Sequence, residues 1–328
     1  MRQVCVKIPL LVLLVIMCFR ANAQFVYYGE NPAGLRWMQV ETQDYKVIYP
    51  VGMDSLAKRY LWLLEQNRTA VMAGLGGINP KQIPVLLNNR TVRSNGTVVW
   101  APKRVELYTI PPTETYPQAW DRQLAIHESR HVGQMTWFTK GFYKWLGVLI
   151  GQQSPSLGVA IYPSRWMLEG DAVVAETELS NAGRGRNAEF LEYYRAAAME
   201  GENRKWNQWR LGSYKRYTPN HYAFGYLLNS TIRYTTGNYH YAGEVFDGLV
   251  KNFYNPNVTG KSYRQSVGNK PQHFFALGYD MMGQMWKEES SKRGNLTVPE
   301  QLLHEKGKDY REYYSPVGIG TDRLLYVR

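Results

Sequence analysis

Cysteine is almost missing from this chain of 328 residues: the only two, Cys5 and Cys18, both fall close to the N-terminus. The rest of the sequence therefore has no disulfide, no thiol nucleophile and no thiolate ligand, which excludes thiol proteases and Cys-type zinc sites. Long apolar runs are missing as well. Beyond the N-terminus none approaches the roughly 18–20 residues needed to cross a bilayer. Acidic residues are the scarcer charge, 27 against 39 basic ones, for a net charge of +12. The basic residues are scattered, with only short clusters such as Arg184-Gly185-Arg186 and no nucleic-acid motif. The excess reads as attraction to anionic envelope polymers, and no nucleic-acid partner is expected. No Gly-rich phosphate loop, dinucleotide fingerprint or G-x-S-x-G turn occurs. What the chain does have is apolar and aromatic material, 44% hydrophobic residues with 25 Tyr and 10 Trp. That supplies a substantial core and excludes a disordered, collagen-like or coiled-coil chain.

The N-terminus has a different character. Arg2 and Lys7 precede the apolar stretch Ile8 to Phe19, and Ala21-Asn22-Ala23 follows. This is the charged, apolar, A-x-A layout of a secretory leader, so residues 1–23 are expected to be removed on export to a periplasmic, envelope or extracellular location. A lipoprotein signal acylated at Cys18 is the lesser alternative, because Met17 suits that processing poorly.

Downstream, loose alternation from Trp37 to Tyr49 predicts a strand, and Asp54 to about Met72 a helix closed by Gly74. Short strands follow at Ile83–Leu87, Thr97–Trp100 and Arg104–Ile110, with Asn95-Gly96 as a hairpin turn after the first of them. From about residue 118 the pattern turns helical, with candidates at Gln118–Phe138, Trp166–Leu179, Asn187–Glu200, Asn220–Tyr234 and Gln272 to about Glu288. The reading is an α+β fold: a small, mostly antiparallel N-terminal sheet (24–115), then a helical half (116–308) that carries the chemistry. The very apolar Gly141–Gly151 is expected to be a cleft wall buried against the core, with membrane or a hydrophobic substrate as the sharper alternative. Asp309 to Arg328 reads as two strands around a Gly-rich turn, ending in an apolar strand without a partner. That suggests a chain continuing into a further module.

The chemistry centres on His127-Glu128-Ser129-Arg130-His131. Residues four apart on a helix lie one above the other, so two imidazoles can take two corners of a tetrahedral zinc. Glu128 is placed to act as general base on a water. Trp166-Met167-Leu168-Glu169-Gly170-Asp171-Ala172 supplies a third ligand, Glu169, which leaves the fourth position to water as in a catalytic site. Glu176, two turns further on, is the candidate acceptor for a ligand imidazole N–H, with Asp171 the weaker choice.

HExxH followed by W-x-x-E-G-x-A-x-x-x-E resembles the gluzincin clan of zinc metallopeptidases, with its thermolysin-like and aminopeptidase-like branches. His221-Tyr222-Ala223-Phe224-Gly225-Tyr226 is similar to the Tyr-x-x-Gly segment of the aminopeptidase-like branch. The resemblance implies that Tyr222 stabilises the oxyanion of the tetrahedral intermediate. It further implies a Zn2+ cofactor, a peptide or protein substrate, and a fold of the thermolysin type. Two departures stand out: the interval from His131 to Glu169 is long, and the G-x-M-E-N segment that holds a free N-terminus in aminopeptidases is absent. Glu106 could anchor an amine but reads better as a surface strand acid. An endopeptidase is therefore expected, its substrate paired along the Arg104–Ile110 strand. The alternative is an inactive envelope scaffold that keeps the zinc fold. Ser315-Pro316 and Asp322-Arg323-Leu324-Leu325-Tyr326 resemble the opening of a TolB-type β-propeller blade.

Overall fold

The structure is a computed structural model, and it describes residues 31–113, 118–294 and 313–327. The expected leader, 1–23, lies outside the described residues, as does most of the stretch joining the helical half to the C-terminal strands.

The chain opens with β1 (Trp37–Glu41) and β2 (Tyr45–Pro50), runs through helix α1 (Asp54–Met72), and returns as β3 (Ile83–Asn88). Then come β4 (Gly96–Trp100) and β5 (Lys103–Tyr108). The five strands form one sheet in the order β1-β2-β3-β5-β4. The class is α+β as expected, but the sheet is mixed and not mostly antiparallel. β2–β3 and β3–β5 are parallel, flanked by antiparallel β1–β2 and β4–β5. The reason is nonlocal. Helix α1 is a crossover of the length that parallel pairing needs, and it returns the chain beside β2. The expected hairpin at Asn95-Gly96 does not form, because β3 and β4 are not neighbours. The tight turn falls instead at Ala101-Pro102, and β5 inserts between β3 and β4. The outer edge is therefore β4, not the Arg104–Ile110 strand.

Alternation buries Tyr45 and Val47 of β2, Val85 and Leu87 of β3, and Val105 and Leu107 of β5 on one face. These pack on Tyr60 and Leu64 of α1 and on Leu124 and Val132 of helix α2 (Trp120–Thr136). After α2 come α3 (Gly141–Ile150), α4 (Gln153–Ile161), α5 (Arg165–Glu178), α6 (Glu192–Met199), α7 (Trp206–Leu211) and α8 (His221–Thr236). The helical half closes with α9 (Tyr241–Lys251), α10 (Val258–Val267) and α11 (Pro271–Lys292). Its own core is largely aromatic, built around Trp166, Phe224, Phe246 and Phe275. Among the described residues, strands β6 (Tyr314–Ile319) and β7 (Arg323–Val327) pair with each other and not with the main sheet, so the final apolar strand does have a partner.

Gly141–Gly151 departs from expectation. It forms α3 and the turn after it, but only Tyr143 of the helix is buried; Trp145, Val148 and Leu149 are 76%, 77% and 81% exposed. Tyr143 packs edge-on to Phe138, and Phe142 stacks on Phe253 with ring centroids 4.1 Å apart. Those rings take the inner side of a helix that is apolar nearly all round, so its remaining apolar groups face outward.

Two glycines set the spacing around the site. A Cβ on Gly170 of α5 would stand 2.2 Å from the carbonyl carbon of Gly225 in α8, and one on Gly225 would stand 2.0 Å from the Trp166 carbonyl oxygen. The two helices therefore cross backbone to backbone. That crossing brings Tyr222, one turn ahead of Gly225, to the side of Glu169.

Candidate metal centre

Helix α2 is buried almost all round, polar residues included: His127, Glu128, Ser129, Arg130 and Gln134 are all withdrawn from solvent. On one side it touches the sheet core and on the other α5, so its imidazoles point into the protein. His127 and His131 stand edge to face at 4.7 Å. Their Nε2 atoms are 3.1 Å apart, and each is 3.1 Å from Glu169 Oε2. Three ligand atoms thus form an equilateral triangle. A four-coordinate ion with bonds of about 2.0–2.1 Å sets its ligand atoms about 3.3 Å apart, so the triangle fits such an ion. Among the described residues, His127, His131 and Glu169 are the only group of this kind that could hold a metal ion.

Polar contacts behind the rings orient the two imidazoles. Gln134 Nε2 donates to Leu168 O at 3.0 Å and to Asp171 Oδ2 at 2.9 Å, so its Oε1 faces His131 Nδ1 at 2.8 Å. An acceptor there holds a proton on Nδ1, so the neutral ring presents a lone pair at Nε2. His127 Nδ1 stands between the Glu176 Oε2 acceptor at 3.1 Å and the Arg184 Nη2 donor at 3.0 Å. Two imidazole Nε2 atoms and a carboxylate oxygen converge on one point, an arrangement that a cation, proton or metal, satisfies. Proton affinities report the same convergence. Burial opposes charge on His131, yet Glu169, with help from Glu128 and Gln134, raises its pKa to about 9. Burial likewise opposes charge on Glu169, but His131 and His127 hold it well below the usual carboxylate range.

Each support is itself anchored. Burial works against a charged Glu176, but Arg184 and His127 lower its pKa to about 2. Arg184 Nε donates to Glu176 Oε1 at 2.6 Å, and its Nη2 donates to Oε2 at 3.0 Å. Asp171 accepts from Arg130 Nε at 2.7 Å and Nη2 at 2.9 Å, and from Arg233 Nη2 at 3.2 Å. Arg130 Nη1 also donates to Val71 O and Ala73 O, at 2.6 and 2.7 Å, and so caps the end of α1.

A cavity of about 330 Å3 opens over the triangle, with Glu128, Tyr222 and the edge strand β4 in its walls. Glu128 lies against β4 at Gly96, where a Cβ would come within 2.4 Å of its Oε1. Burial raises the Glu128 pKa, partly offset by the two histidines. Tyr222 sits in the first turn of α8, capped by Asn220, whose Oδ1 accepts from the Tyr222 N–H at 3.1 Å. Its ring is 6.2 Å from that of His127, and the Arg184 guanidinium lies 4.9 Å over it. Burial and the Glu169 charge push its phenol well above the usual range. Glu106 is not in the cavity wall; it accepts from Arg104 Nε at 2.5 Å.

His127, His131, Glu128, Glu169, Glu176 and Tyr222, singled out by spacing and motif, thus meet around one cavity. Gln134 and Arg184 were missed. Gln134 had a readable signal, a polar residue three positions beyond His131 on a helix face with no solvent. Arg184 had none, since its approach depends on the chain doubling back at Gly183, where a Cβ would lie 2.5 Å from Thr177 Cα. No family model matches the chain, and no curated protein does either.

Proposed function

We propose that this chain is an exported zinc-dependent peptidase of gluzincin type, with His127, His131 and Glu169 as zinc ligands. The observation that carries the reading is the convergence of three ligand atoms, the two imidazoles backed by Gln134 and by Glu176, beneath a cavity that holds a buried carboxylate and a phenol. Bound there, zinc supplies Lewis acidity to a peptide carbonyl and acidifies water. Glu128, with its raised pKa, takes the proton of the attacking water and passes it to the leaving amine. Tyr222 donates its hydroxyl hydrogen bond to the developing oxyanion. An extended substrate pairs along β4, the sheet edge at the cavity. Among the described residues lining the cavity, Glu128 and Glu169 are the only carboxylates, with no third acid among them to hold a free N-terminus. That supports endopeptidase over aminopeptidase action.

Metal analysis and Glu128→Gln test the proposal. The wild type is expected to take up about one equivalent of zinc and to cleave internal bonds of a long peptide, as mapped by mass spectrometry. Glu128→Gln is expected to keep the zinc and lose the cleavage. Zinc uptake with wild type and variant equally inert on a diverse peptide library would favour a scaffold that keeps the zinc fold. Failure to bind zinc with the fold intact would overturn both readings.

A further inference from the structure

The outward face of the α3–α4 hairpin is not explained by the metal centre. Trp145, Val148 and Leu149 of α3 stand out with Leu157 and Ile161 of α4, 40% and 59% exposed. Contiguous apolar surface of this kind marks an interaction site. Its charge is one-sided: from residue 129 to residue 168 the sequence contains no Asp or Glu, while Lys140, Lys144 and Arg165 are exposed. Lys140 lies 4.2 Å over the ring of Trp137. The hairpin turn continues the basic surface into the β4–β5 turn, because the Lys103 backbone N–H donates to Gln152 Oε1 at 2.7 Å. Lys103 Nζ in turn donates to Lys81 O at 3.1 Å.

We propose that the α3–α4 hairpin docks the protein on an anionic lipid bilayer. α3 seats Trp145, Val148 and Leu149 among the acyl chains, and Lys140, Lys144 and Lys81 lie at the phosphate level. Ten residues of helix rise about 15 Å, half the hydrocarbon thickness, so α3 lies in the interface and does not cross it. The exposed Trp suits the headgroup boundary, and the lysines suit its negative potential. A second copy fits poorly, since a two-fold contact would press two basic rims together with no acid in either hairpin to offset them. Val159, on the other side of α4, lines the cavity over the metal centre. Docking therefore holds that cavity about one helix diameter from the bilayer. On the peptidase reading, and resting on it, the substrates are polypeptides held at a membrane surface.

A local probe tests docking without reference to hydrolysis. The chain from Gln24 onward, as export would leave it and free of native cysteine, carries Leu149→Cys, labelled with an environment-sensitive nitrobenzoxadiazole dye. A second sample carries the dye at Ser55→Cys, on α1 beside the opposite sheet edge. With vesicles containing about 30% phosphatidylglycerol in phosphatidylcholine, the probe at 149 is expected to shift to the blue and brighten several-fold while the probe at 55 stays unchanged. Lys140→Gln with Lys144→Gln is expected to weaken vesicle partitioning about ten- to thirtyfold, and the wild type is expected to lose partitioning at high salt. Chain that sediments with vesicles while the probe at 149 stays unchanged would overturn the proposal, because another segment would then be the anchor. So would a lack of sedimentation, or a probe at 149 already blue-shifted in a concentration-dependent way without lipid, which would identify a second copy as the occupant. Zinc uptake and peptide cleavage by the detergent-free wild type are scored separately, so loss of one reading leaves the other measurable.

Discussion

Replacing Gly170 by Ala tests the helix crossing that brings Glu169 and Tyr222 together. The new methyl would begin 2.2 Å from the Gly225 carbonyl carbon and 2.4 Å from its Cα, where ordinary contact starts near 3.4 Å. Both atoms are helix backbone, so no side chain can swing aside, and α5 and α8 must part by about 1 Å at the crossing. Overpacking of this kind costs about 1–3 kcal/mol, occasionally more. Against it stands the helix preference of Ala over Gly, about 1 kcal/mol. The close backbone clash puts this case at the upper end, for a net loss of about 2 kcal/mol, or a Tm fall of about 3 °C in a chain of this size. Gly260→Ala in α10 is the control, since nothing lies within 4 Å of its Cβ position. There the preference acts alone, and a gain of about 0.5–1 kcal/mol is expected. Gly225→Ala should resemble Gly170→Ala, and the double variant should lose less than the sum, because helices already parted admit the second methyl more cheaply. Urea melts at constant m-value, with zinc present and with chelator, give the numbers. A Gly170→Ala protein as stable as the wild type would refute the backbone contact.

Other expectations follow from the supports of the site. Gln134→Leu should weaken zinc binding about 10–100-fold, measured by chelator competition, and should also cost the chelator-treated protein about 1–3 kcal/mol, because Leu168 O and Asp171 lose a buried donor. Arg130→Met should cost about 3–5 kcal/mol in chemical denaturation, because it strips Asp171 of a bidentate partner and leaves the carbonyls of Val71 and Ala73 without a donor; adding Asp171→Leu should recover part of that loss. Burial, with Lys81 and Arg68 nearby, lowers Lys103 from its ordinary 10.5 to about 8. The unfolded chain therefore binds the proton more tightly between those values, so folding gains stability as pH rises through the window. Lys103→Gln should accordingly be more stable than wild type at pH 7, by on the order of 1 kcal/mol after solvent screening, and the advantage should fade by about pH 10.5.

Much of the site was legible because its spacing is local. The step of four from His127 to His131 and that of seven from Glu169 to Glu176 each lie on a single helix, where the period alone says which side chains share a face. The order of β3, β5 and β4 was not legible, since Asn95-Gly96 carries the residues of a hairpin turn and only pairing across the sheet decides against one. α3 was misjudged as buried because a decamer with Lys144 as its single charged residue offers no period to tell which side faces the core. Asp171, ranked below Glu176 as an imidazole acceptor, meets no imidazole directly; its link to His131 through Gln134 was not legible, since a chain of two hydrogen bonds across two helices leaves no mark in either segment.

Arg130 has a consequence for how such a chain can be divided or recombined. Its guanidinium holds the last carbonyls of α1 with one nitrogen and Asp171 of α5 with the other two, so one side chain belongs to both halves. A fragment cut after the sheet, near residue 113, would leave the α1 terminus uncapped and the apolar face that receives Leu124 and Val132 open to water. A fragment begun after it would carry a buried cation with half its acceptors gone. Neither piece is a module that could be lent to another protein. In any chimera of this fold α2 would have to travel with its own sheet and its own α5, which makes the sheet-to-helix junction, despite its change in composition, the poorest place to cut.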